Sequence, residues 1–369
     1  MERRTFLLGC TGICLPLGRF ERPDAASDEG GLWAFMDREE ERLKRSAFLI
    51  RDPALNDYVR GIACRLAGEH CPDLRVYLLR TPLFNASMAP NGMMQIWSGL
   101  LLRMSNEAQL AAMIAHEIGH YLARHGLERL RDAKTRSALG QLVSIALSPA
   151  AFLGSAVSSV AQLGLATGGL AHARDHEREA DRIGVELMAR AAYAPLEAAL
   201  VWSQLQEETN ASSGEPGLLF ASHPPAVERH HNLKELVAGK SAGNTGAQIY
   251  RTMLAPHRAM FLQDEVQRRR FGETMVLLER LLRLAPGDGE LRFFQGETFR
   301  LRSDPGDLES ALAAYRVAQT QEGAPPELHR SMGIVLRRLG QPGEASGAFA
   351  RYLELRPAAV DAELVRTYL

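Results

Sequence analysis

The chain is short of cysteine, of net charge and of any long uninterrupted apolar run. Four cysteines occur in 369 residues and none forms a Cys-x-x-Cys pair, which excludes a thiolate metal site. Lys and Arg (43) nearly balance Asp and Glu (44), leaving a net charge of −1. No bulk electrostatic attraction therefore draws the chain to nucleic acid, and no nucleic-acid partner is expected. Between Arg136 and Arg174 there is no Asp, Glu, Lys or Arg, and the length would admit a membrane span of about twenty residues. Pro149, Gly154, Gly164, Gly168 and Gly169 interrupt it, and Gln141 and Gln162 cost energy in lipid. A buried helical hairpin fits best; a mobile lid, or peripheral membrane contact through 138–171, fits as well.

What is there suffices for two globular domains, with 46% hydrophobic and 24% charged residues. Residues 1–31 differ from the rest. A basic start, Met1-Glu2-Arg3-Arg4, leads into an apolar run through Gly18 and then a polar stretch, the pattern of an export signal and linker. Arg3-Arg4-Thr5-Phe6-Leu7 resembles the twin-arginine type and Leu7-Leu8-Gly9-Cys10 a lipoprotein box, so a periplasmic location is expected. Cys64 and Cys71 would be the pair left after cleavage. An unbroken helix would hold them about 10.5 Å apart, too far for a disulfide, whereas a turn near Gly68 would let them join; free buried thiols are the equal alternative.

The chemistry concentrates in Ala115-His116-Glu117-Ile118-Gly119-His120-Tyr121. Ser105 or Asn106 can cap a helix, and Leu110, Ile114, Ile118 and Leu122 recur at helical spacing, which predicts one amphipathic helix over 106–130. Two imidazoles four residues apart share a helix face and can reach one zinc ion, with Glu117 placed as general base. A third ligand is needed. The place where an extended motif would continue to a Gly and a third His holds Ala123 and Gly126, and His125 falls on a different face. The second charged helix start, His176-Glu177-Arg178-Glu179-Ala180-Asp181-Arg182-Ile183-Gly184, supplies a candidate. Glu177 and Asp181 are four apart and share a face, while Glu179 points roughly 200° away. Glu177 then suits a ligand, and Asp181 suits the free ring nitrogen of a ligating His or a nearby arginine. A surface salt-bridged helix fits the same spacing.

These two motifs together resemble the HtpX and BepA branch of the zinc metallopeptidases with two His ligands and one Glu. The likeness covers 75–230 and includes Ala89-Pro90-Asn91-Gly92-Met93-Met94-Gln95-Ile96-Trp97-Ser98-Gly99-Leu100-Leu101, as well as Ser222-His223-Pro224-Pro225 with Arg229 following. The resemblance implies that His116, His120 and Glu177 bind one zinc, that His223 lies near the metal and that Arg229 belongs to the site. His223 would donate to the oxyanion of the tetrahedral intermediate or, as a fourth ligand, hold the enzyme off. Arg229 would orient a substrate carbonyl or pin Asp181.

Leu74–Leu79 and Gln95–Trp97 read as strands. Asn85, Ala86 and Ser87, with Met88, are the candidate edge on which an extended substrate pairs through its backbone, an ordinary hairpin edge being the alternative. After a zinc metallopeptidase domain over 32–238, the small polar stretch 239–250 reads as a linker. Beyond it, 251–369 repeats: Phe271-Gly272-Glu273, Pro305-Gly306-Asp307 and Pro342-Gly343-Glu344 each begin a helix, and their glycines are 34 and 37 residues apart, close to the tetratricopeptide period. Stacked repeats of that kind offer a concave surface to a partner protein.

The expected fold is thus mainly α with a small β-sheet, a zincin-type domain followed by tetratricopeptide-like helices. The expected function, by resemblance, is zinc endopeptidase action on misfolded or stalled envelope proteins. The competing expectation is a chaperone or assembly factor for outer-membrane proteins whose zinc site is mostly latent.

Overall fold

The computed structural model describes residues 21–128, 170–211, 226–240 and 243–369. The expected export signal, most of the charge-free span and His223 lie outside them. Helix α1, Asp28–Lys44, starts where the Ser27 side chain accepts from the Gly30 N–H. Helix α2, Pro53–Ala67, combines an Asp52 cap, accepting from the Leu55 N–H at 2.7 Å, with a proline in its first turn. Gly68, at φ 58°, ends α2 and starts a 3₁₀ turn over Gly68–Asp73. That reversal brings the Cα atoms of Cys64 and Cys71 to 4.5 Å, and the two are joined as a disulfide.

A three-stranded sheet follows: β1 Arg75–Leu79, β2 Ala86–Met88 and β3 Met93–Trp97, in the order β1-β3-β2. The wholly buried β3 lies in the centre, parallel to β1 and antiparallel to β2. The turn into β3 requires Gly92, at φ 88°, where a Cβ would sit 2.1 Å from the Asp73 carbonyl oxygen. The candidate stretch Asn85–Ser87 therefore leads into and begins the edge strand.

The short α3, Ser98–Arg103, leads into the motif helix α4, Glu107–Leu122. Of the two candidate caps it is Asn106 that accepts, from the Gln109 N–H at 2.9 Å. α4 stops before the expected residue 130 because the chain turns out of the helix at Arg124, whose φ is 59°. It is buried along its whole length, since α2, β2, α5 (Leu170–Arg190) and α6 (Leu196–Asn210) surround it. Helix α7, Ala226–Leu236, packs across α5 and α6.

The remaining helices are α8 Ala247–Gln267, α9 Phe271–Leu284, α10 Gly289–Arg302, α11 Asp307–Ala318, α12 Glu327–Arg338, α13 Pro342–Leu355 and α14 Ala362–Arg366. Two hairpins share one packing device. Gly296 on α10 receives the Tyr315 ring of α11, and Gly333 on α12 receives the Phe349 ring of α13; a Cβ at either glycine would come within 2.4 or 2.6 Å of the ring. This C-terminal array shares a continuous apolar core with α2, α4 and α6. Within the stretch expected to be a linker, Asn244 bridges to Tyr193, and a Cβ on Gly246 would meet Glu107 at 2.7 Å.

The junction is also ionic. Arg103, fully buried, donates to Glu208 of α6 at 2.7 Å and to Glu265 of α8 at 2.8 Å, and Arg280 of α9 reaches Glu208 at 2.5 Å. Removing any one member of such a network would leave a buried charge short of a partner. No helix among the described residues is long and apolar enough to cross a membrane.

Candidate metal centre

Side chains of one helical turn and of one distant helix meet at the crossing of α4 and α5. The two helices can touch because small residues line the contact. A Cβ on Gly119 would lie 2.7 Å from the Ala180 carbonyl oxygen, and one on Gly184 would lie 3.2 Å from the backbone nitrogen of His116. The glycine of the second motif is thus a packing residue, and close approach is what lets a short carboxylate on α5 reach the α4 imidazoles.

At that point His116 Nε2 is 3.3 Å from Glu177 Oε2, His120 Nε2 is 3.3 Å from Glu177 Oε1, and the two ring nitrogens are 3.1 Å apart. Zinc–ligand bonds of 2.0–2.1 Å in tetrahedral array place neighbouring donors about 3.3 Å apart. The donor set fits that ion in kind and in spacing, and these three are the group among the described residues that could hold a metal. Glu117, on the same turn as His116, is buried. Glu179 points away from the three donors, half exposed.

Asp181 contacts both an imidazole of the first motif and an arginine. Its Oδ1 is 2.9 Å from His116 Nδ1, and Arg229 donates to its Oδ2 at 3.1 Å. Burial alone would push the Asp181 carboxyl up; the Arg229 charge and the His116 hydrogen bond outweigh this and hold it below the ordinary carboxylate range. Arg229 also stands 3.2 Å from Glu177 and lies over the Trp202 ring, 3.9 Å from its centroid. The guanidinium is therefore held against α5, pinning Asp181. Trp202 carried no sequence signal, because its role depends on α6 lying across α5 and α7.

On the far side of α4, the ladder between β2 and β3 decides which backbone groups face outward. Ala89 donates to Met93 and Trp97 donates to Asn85, so with the observed register Ser87 faces β3 as well. The N–H and C=O groups of Ala86 and Met88 point away from the ladder.

With this geometry in view, comparison with known proteins is decisive over half the chain. The model of peptidase family M48 matches residues 50–237. The chain belongs to peptidase family M48. Among similar proteins, the Escherichia coli K12 β-barrel assembly-enhancing protease is 30% identical over 194 residues, covering 50% of this chain and 39% of the relative. A Vibrio cholerae protein named putative β-barrel assembly-enhancing protease is 27% identical over 252 residues, covering 63% and 51%. The Schizosaccharomyces pombe mitochondrial metalloendopeptidase OMA1 is 34% identical over 184 residues, covering 48% and 52%. The chain thus spans about half or less of the length of these relatives. Residues 50–237 are an M48 peptidase domain, and both sequence motifs fall inside it.

Proposed function

We propose that this M48 chain is a zinc-dependent endopeptidase acting on misfolded or stalled cell-envelope proteins, with the C-terminal helices serving as tetratricopeptide-like repeats that recruit clients or partner proteins. The observation that carries the reading is the tetrahedral-edge spacing of His116, His120 and Glu177 beside the buried Glu117. Zinc held there would polarise the scissile carbonyl and acidify water. Glu117 takes the proton of the attacking water and returns it to the leaving amine. Asp181 Oδ1, 2.9 Å from His116 Nδ1, would accept its N–H and leave Nε2 free to hold the metal, with Arg229 Nη2 2.9 Å from the same Nδ1. Arg229 offsets the charge of the two buried carboxylates Glu177 and Asp181.

The outward backbone groups of Ala86 and Met88 suit an extended substrate added alongside β2, which selects for unfolded segments over side-chain identity. The envelope setting is supported by the export-like start of the chain and by the names of its bacterial relatives. The burial of Glu117, 4% exposed, favours a second reading in which the site is mostly latent and the protein acts as a chaperone. Casein cleavage separates the two. Under the first, cleavage is chelator-sensitive and Glu117→Gln abolishes it while about one zinc per chain is kept; wild-type protein that binds zinc but never cleaves supports the second.

A further inference from the structure

His125 was placed off the motif face by helical spacing, but the structure returns it to the site. α4 ends at Leu122, and Arg124, at φ 59°, turns the chain back on itself. His125, 1% exposed, consequently sets its Nδ1 2.9 Å from Nδ1 of His120. Its other nitrogen, Nε2, is 3.3 Å from Glu179 Oε2, the carboxylate that points away from the metal donors. The His176 ring stacks on it at 4.1 Å between centroids and 17° between planes, and His176 Nε2 is itself 2.9 Å from Glu128. His125 is therefore fixed in plane by a stack and in rotation by two polar contacts.

Donor and acceptor roles along this row follow from the metal. If His120 binds through Nε2, its Nδ1 carries the proton and must donate. Nδ1 of His125 is then the acceptor, so its proton sits on Nε2, facing the Glu179 carboxylate. Nδ1 of His120 and both ring nitrogens of His125 find a partner of the right kind in this arrangement, whereas a proton on His125 Nδ1 would collide with the one on His120 Nδ1.

We propose that His125 is the positioning residue for the second ligand: it accepts from His120 Nδ1 as Asp181 accepts from His116 Nδ1, so that each metal imidazole has its own outer partner. The assignment rests on the zinc-site reading above. A metal ligand held in one tautomer and one rotation binds without paying to find them. The row also accounts for Glu179 and His176 of the second motif, since both serve the His125 ring.

The test is zinc affinity of the full chain, read by competition with a chromophoric chelator. His125→Phe keeps a ring to stack on His176 but cannot accept, and should bind zinc about 10- to 100-fold more weakly. His125→Gln, whose side-chain carbonyl can accept, should recover most of that loss. His125→Phe binding as tightly as wild type, or His125→Gln binding as weakly as His125→Phe, overturns the assignment. A measurement on the wild type stands independently of how the variants fold. ¹⁵N spectra of the zinc-loaded protein should show His120 protonated at Nδ1 and His125 protonated at Nε2 only; a proton on His125 Nδ1 overturns the proposal. Wild-type protein that takes up no zinc removes the metal-site reading itself, whereas zinc uptake with His125→Phe unchanged removes only the role of His125.

Discussion

Gly119 and Ala180 are the point at which the two motif helices touch: a Cβ added to Gly119 would stand 2.7 Å from the Ala180 carbonyl oxygen. Neither residue carries chemistry, yet the distance between them sets whether Glu177 reaches the two imidazoles. A Gly119→Ala variant must push α5 away from backbone atoms that cannot rotate aside. The expected cost is about 1–3 kcal/mol of stability, with weaker zinc binding at unchanged ligand identity. Urea unfolding and zinc competition on the same preparation measure both, and unaltered values in both would show that the helices have room to spare.

Substrate pairing on β2 is tested by Met88→Pro. Met88 directs its N–H away from β3, so proline there leaves the ladder intact and deletes one outward donor. Cleavage of an unfolded substrate should lose about three- to tenfold in kcat/KM, the worth of one hydrogen bond, with metal content unchanged. An unaffected kcat/KM would remove β2 as the docking edge.

The buried ion network predicts an acid limb in stability. Burial would raise the Glu265 carboxyl, but the charges of Arg103 and Arg268 prevail and hold it down at about 2, against 4.5 for a free side chain. A lowered native value means the unfolded chain takes up the proton first. The stabilisation is thus complete above about pH 4.5, declines as the pH falls from there, and is gone below about pH 2. Glu265→Gln should flatten this limb. At neutral pH it should cost about 3–5 kcal/mol, because Arg103 is left buried with one partner fewer. Denaturant midpoints collected from pH 7 to 2.5 decide it.

Closing the Cys64–Cys71 loop restricts only a short stretch of the unfolded chain. Cys71→Ser should therefore cost about 2 kcal/mol, visible as a matching loss when the wild type is unfolded under reducing conditions. A variant as stable as oxidised wild type would show that the turn at Gly68 holds without its bond.

Local periodicity and spacing already determined the mainly helical class, the motif helix with His116 and His120 on one face, the strands around Pro90–Gly92 and the C-terminal helices, since each depends on residues a few positions apart. The pairing of Glu177 with Asp181 on one face, and the exclusion of Glu179 from it, followed in the same way. Tertiary structure alone decided the rest. Whether Cys64 meets Cys71 depended on one positive φ at Gly68, and whether His125 meets His120 on another at Arg124. Trp202 under Arg229, and Arg103 between Glu208 and Glu265, join positions far apart in the chain, and no periodic pattern encodes where two helices cross. The same reason applies to Gly119 and Gly184: in sequence they are merely small, and only when α4 lies on α5 does the missing Cβ become the condition for a metal centre.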